Sequence, residues 1–278
     1  MQNYIKWKQS TVMPATVPQY VRWVQFFQTV LNKDNDYVLD DISTFKSFLE
    51  GANYSPKNIQ FGLHIIRDYI NYLIAVEELQ FPIHLFRIKN ERSNSHHPIT
   101  ETEYDKMIAV LPDYEPQALQ RRLMLSMLHD TGMRGGELLN LKLKDLKPQR
   151  AIINNEKNKR QRLVAWTPET QRLLRKYLYF REQMETAENY LFVSFKWKPT
   201  RKLTTRQLER IVIDTRQKAK IRTIIRPHSF RHGFVHRRLK EGKPITTVAQ
   251  MLGHTTTLNV MTYAQLSSKE IHEAWDIN

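Results

Sequence analysis

The chain has 278 residues, enough for two compact domains, and 41% of them are apolar. No apolar run approaches the roughly 18 residues that a membrane span needs, and the absence of cysteine excludes a disulfide framework, a thiolate nucleophile and a cysteine-based zinc site. Lys and Arg number 43 against 28 Asp and Glu, a formal charge of +15 that favours a polyanion, nucleic acid above all, over an anionic membrane surface, which would ask for a basic amphipathic helix.

From Pro18 to Ile83 the pattern is helical. Tyr20, Val24, Phe27 and Leu31 share one stripe, and Ile42, Phe45 and Leu49 another. Ser55 is placed to cap a further helix with Pro56 in its first turn, running through Ile59, Leu63, Ile66, Ile70 and Leu73. A small helical bundle over 1–88 is predicted. Residues 89–100 are polar and aperiodic and read as a linker, in which His96 and His97 are filler because no third ligand is near. Thr100 with Glu103 forms a capping box that opens a second domain over 101–278. Residues 1–90 carry 9 basic and 8 acidic side chains, a balance of +1, and the rest carry 34 and 20, a balance of +14. The polyanion surface therefore belongs to the second domain.

That domain is mostly helical with one interruption. Arg134 and Glu137 lie three apart at a helix start just after the breaker Gly132, on one face and within reach of each other. Ala151–Ile153 and Arg162–Trp166 are short β-prone runs around the polar stretch 154–161, which predicts a hairpin with a basic tip. Pro168 opens a helix through Leu173, Leu174 and Leu178. Pro227 precedes His228, Arg231 and His232 at another helix start, where Gly233 is a weakening residue. Gly253 ends the apolar stretch Val248–Leu252 and presents His254, and Tyr263 follows nine residues later. In the tail 267–278, Ser267 or Ser268 can cap a short helix whose face is Ile271, Ala274 and Trp275. Taken singly, each of these is ordinary: a surface ion pair, a capping histidine, a part-buried tyrosine. Two arginines, two histidines and a late tyrosine together are what phosphoryl transfer to a protein hydroxyl requires when no metal is used.

The three segments 127–140, 226–233 and 250–266 together resemble the tyrosine recombinases, or phage integrases, with the hairpin as a further match and 1–90 agreeing in size and helical pattern. The resemblance implies a mainly α protein of two domains: an N-terminal SAM-like helical core-binding bundle and an α-rich catalytic domain with a small β-hairpin. It implies a site-specific DNA recombinase that cuts and rejoins strands through a 3′-phosphotyrosine on Tyr263. Arg134, Arg231 and His254 would hold the phosphate, Glu137 would brace the site, His228 would assist the tyrosine proton, and His232 would be structural. The family's hairpin lysine falls at Lys157, with Lys159 two residues on as the alternative, because Glu156 and Asn158 replace the usual glycines and leave the register open. No cofactor or metal is expected. The expected partners are a duplex recombination site with inverted-repeat arms, a second copy on that DNA and four copies in the synapse, serving a mobile element in the cytoplasm. The tail would dock on a neighbouring protomer. Three rivals remain: a metal-dependent nuclease using Asp130, Glu137 and Asp145, a non-enzymatic DNA-binding regulator, and a type IB topoisomerase sharing the chemistry.

Overall fold

A computed structural model describes residues 1–76, 78–88, 97–155, 160–184, 189–195 and 201–253. The chain divides into two compact units, Met1–Asn94 and Ser95–Asn278.

The first unit holds helices α1 (Gln2–Thr11), α2 (Val17–Leu31), α3 (Leu39–Gly51) and α4 (Pro56–Ala75). The predicted stripes are its core: Val24, Phe27, Phe45, Leu49, Ile66 and Ile70 are all buried. Ser55 caps α4 by accepting from the Asn58 N–H at 3.3 Å. Helix α1 is an addition to the expected pattern. Its anchor is polar: buried Lys8 pairs with Asp68 at 2.7 Å, its ammonium lies 4.2 Å from the Trp7 ring centroid, and Tyr4 donates to the same carboxylate. A buried lysine persists only when its charge is matched in this way.

The second unit is built around α6. Its elements are α5 (Glu101–Ala109), α6 (Pro116–Thr131), α7 (Gly135–Asn140), strands β1 (Leu146–Lys147), β2 (Arg150–Asn155) and β3 (Arg160–Ala165), then α8 (Pro168–Glu182), α9 (Thr205–Lys218), α10 (Pro227–Lys240) and α11 (Ile245–Met251). The strands form one antiparallel sheet in the order β1-β2-β3. Helix α6 is buried all round from Leu123 to Thr131, as a central helix should be. The Thr100–Glu103 capping box forms reciprocally, at 3.2 and 3.0 Å. The strands run further than the β-prone runs suggested. Asn155 pairs with Arg160, so the segment joining the strands is only 156–159, which holds both Lys157 and Lys159 and lies outside the described residues.

Gly233 proves to be required where the sequence suggested only a weaker helix. A Cβ there would stand 2.5 Å from the Ile99 carbonyl oxygen, because the chain entering α5 lies directly on α10, with the Ile99 N–H donating to the Ser229 carbonyl at 3.1 Å. Gly→Ala inside a helix ordinarily stabilises by about 1 kcal/mol. Here Gly233→Ala should destabilise by about 1–3 kcal/mol through overpacking against backbone, read as a lower midpoint in chemical denaturation.

Candidate active site

The site begins where α6 stops. Gly132 is left-handed, with φ +60°, and a Cβ there would sit 2.7 Å from the Phe234 ring. The glycine thus lets the chain reverse against α10 and deliver Arg134 to the start of α7. Glu137, one turn on, accepts the Arg134 N–H at 2.7 Å and an Arg134 Nη1 hydrogen at 3.1 Å. The Arg134 side chain remains 42% exposed, so its guanidinium is accessible.

Glu137 has a second and stronger partner that the sequence did not single out. Arg162 of β3 grips it with both terminal nitrogens, at 2.9 and 2.6 Å, with side-chain exposures of 9% for Arg162 and 11% for Glu137. Burial resists ionisation of Glu137, but the Arg162 hydrogen bonds and charge, helped by Arg134, prevail and hold its carboxyl at about 2.

Arg231 reaches the same place from α10. It is fully buried and donates to the Gly132 carbonyl at 2.8 Å and the Leu252 carbonyl at 3.0 Å. One guanidinium therefore ties the turn before Arg134 to the turn before His254. Gly253 is left-handed, with φ +69°, closing α11 as predicted. A Cβ on it would lie 3.1 Å from the Arg162 side chain. On α10, half-buried His228 meets buried His232 edge to face at 4.9 Å between ring centroids. Arg134, Glu137, Arg231 and the chain leading to His254 are thus gathered, with Arg162 added. Lys157, Lys159, His254, Tyr263 and the tail 267–278 lie outside the described residues.

The carboxylates of a metal-dependent nuclease are not gathered. Asp130 accepts from Thr167 and Thr170 hydroxyls, both at 2.8 Å, tying α6 to α8. Asp145 accepts the Lys142 N–H at 3.0 Å, and Glu137 is held by two arginines. Among the described residues, no group of three or more His, Asp or Glu side chains is arranged to hold a metal ion. No described helix is long and apolar enough to cross a membrane.

The model of the phage integrase family matches residues 98–270. The chain belongs to the phage integrase family. Among curated relatives of the chain, the tyrosine recombinase XerA of Pyrococcus furiosus is 26% identical over 256 residues, covering 91% of this chain and 85% of that protein. Solved structures of other recombinases share the fold. A lambda integrase dimer bound to a COC′ core site matches with a TM-score of 0.77 at 15% identity, covering 100% of this chain and 96% of that one. The Tn1549 transposon integrase in complex with a circular intermediate DNA matches at 0.79 and 15%, covering 98% and 97%. The chain is accordingly a tyrosine recombinase, a DNA-strand-transferring enzyme of site-specific recombination.

Proposed function

We propose that Tyr263 is the nucleophile and that the cluster around Arg134 and Arg231 is the phosphate site. The observation that carries this reading is the Arg231 clamp, which brings the Gly132–Arg134 turn and the Leu252–Gly253 turn to one point. Tyrosine ionises near pH 10 and is a weak nucleophile at neutral pH. Surrounding cations offset that cost and stabilise the charge growing on the phosphate oxygens. The Tyr263 oxygen attacks phosphorus and its proton passes to His228. The bond to the 5′ oxygen breaks, and that oxygen takes a proton from Lys157 or Lys159. The products are a 3′-phosphotyrosine and a free 5′-hydroxyl. Arg134, Arg231 and His254 hold the non-bridging oxygens, Glu137 orients Arg134, and His232 supports His228 from the same helix face. The ester stores the phosphodiester energy, so a 5′-hydroxyl from another duplex reverses the step.

The substrate is duplex DNA with inverted-repeat arms, bound by residues 1–88 as the core-binding domain and 101–278 as the catalytic domain. The basic excess of the second domain supports this, as do the DNA complexes of lambda integrase and the Tn1549 integrase. Two copies sit on one site and four form the synapse, where the tail 267–278 docks on a neighbour. The setting is a mobile element in the cytoplasm, in keeping with the likeness to a transposon integrase.

The hairpin lysine is assigned by leaving-group chemistry. A substrate whose bridging 5′ oxygen is sulfur needs no general acid, because a thiolate leaves readily. It should restore cleavage to Lys157→Ala and leave Lys159→Ala as it was on the oxygen substrate. The opposite pattern moves the general acid to Lys159, and recovery of neither removes the general acid from the hairpin.

A further inference from the structure

We infer that Arg162 is a positioning residue that locks the general-acid hairpin to the phosphate-binding arginine. The inference rests on the reading of Lys157 or Lys159 as general acid and adds the device that fixes its place. Arg162 stands in β3 opposite Ile153 of β2, and the segment holding both lysines joins those same two strands. A hairpin on its own is free to swing about its base. Arg162 removes that freedom with a two-pronged bond to Glu137, at 2.9 and 2.6 Å, made almost out of contact with water. A planar guanidinium on a carboxylate fixes direction as well as distance.

Glu137 in turn holds Arg134 by backbone and side chain. The carboxylate oxygen that receives the Arg134 side chain also receives Arg162 Nη1, so the two guanidinium groups share one anchor. Arg162 satisfies most of that buried anion, which leaves the exposed Arg134 fork able to turn to a phosphate. The third contact is Gly253, against which the Arg162 side chain packs so closely that a Cβ would approach it to 3.1 Å. One side chain thus ties the hairpin, the Arg134 turn and the residue preceding His254.

The test compares oxygen and sulfur at the leaving position, using the full chain and a duplex cut from an inverted repeat beside its gene. Arg162→Gln removes the lock and Arg162→Lys keeps the charge but not the fork. DNA affinity and melting temperature are measured alongside. The expected result is a loss on the oxygen substrate tenfold or more greater than the loss on the sulfur substrate for Arg162→Gln, because the sulfur substrate shares only what is lost through Arg134 and Gly253. Arg162→Lys should show the same asymmetry in smaller measure, and it carries the test if the glutamine variant does not fold. Equal losses on both substrates would overturn the inference, because a merely structural arginine has no reason to spare a substrate that needs no acid. If neither Lys157→Ala nor Lys159→Ala is recovered by sulfur, the general-acid reading fails. Recovery of one of them, with equal losses for the Arg162 variants, overturns only the role of Arg162.

Discussion

Tyr263→Phe is expected to abolish the covalent protein–DNA adduct while leaving affinity for the site unchanged. The substitution removes one oxygen and keeps the ring, so the phosphate cage and the DNA surface stay intact. Loss of a nucleophile costs on the order of 10⁶ in rate in a well-studied covalent enzyme, which puts any remaining cleavage below detection on a denaturing gel. Two of the other tyrosines of the second unit are tied up by their surroundings. Tyr177 is buried, donates to the Leu191 carbonyl at 3.0 Å, and has its phenol pushed up to about 12 by burial, against an opposing hydrogen bond with Gln120. Tyr104 is stacked on His129 at 3.6 Å, with its phenol also raised to about 12 by burial. Tyr179 on α8 is 65% exposed and Tyr114 74%; with Tyr177 and Tyr190 they are the residues to replace next if an adduct persists.

The two arginines should fail in different ways. Arg134→Lys keeps a charge but loses the planar fork that the proposed phosphate contact uses. A lost transition-state contact of this kind costs on the order of 10²–10³ in rate. Its effect on stability should be small, because Arg162 continues to hold Glu137. Arg231→Lys should lose at least as much rate and stability besides. One ammonium cannot keep both the Gly132 and Leu252 carbonyls satisfied in the direction the guanidinium does, and each buried polar group left without a partner costs about 1–3 kcal/mol. Thermal unfolding should therefore fall by on the order of 5–10 °C for Arg231→Lys and stay within a degree or two for Arg134→Lys. If Arg231→Lys melts as the wild type does, the clamp between the two turns is not what holds them. If Arg134→Lys cleaves at the wild-type rate, that side chain is not on the phosphate.

Much of this was legible in the sequence because the signals are local. Ser55 and Thr100 announce helix starts through hydrogen bonds made three residues away, and Gly132 and Gly253 end helices at left-handed positions that favour glycine. The spacing of His228 with Arg231, and of His254 with Tyr263, is what singles out the proposed site residues on the chain. Long-range features were hidden. Gly233 looks like a weak helix former until Ile99 is seen lying on it. Helix α1 has no apolar stripe, and its docking depends on Asp68 in α4. Arg162 opens the β-prone run 162–166 directly after a basic tip, and nothing beside it in the sequence names its partner. A signal was nevertheless present. With a strand period of two, Arg162 shares a face with Val164 and precedes the buried Trp166, so an arginine on that face needed an anion. Glu137 supplies it.

The most direct measurement is the site of covalent attachment. The protein is incubated with a nicked duplex from an inverted repeat beside its gene, so that the cleaved strand escapes and the adduct accumulates. Digestion with protease and nuclease followed by mass spectrometry then locates the tyrosine that retains a nucleotide. A nucleotide joined through its 3′ phosphate to the peptide containing Tyr263 is the predicted result. A nucleotide on any other tyrosine, a 5′ linkage, or cleavage of the duplex with no protein attached would contradict it.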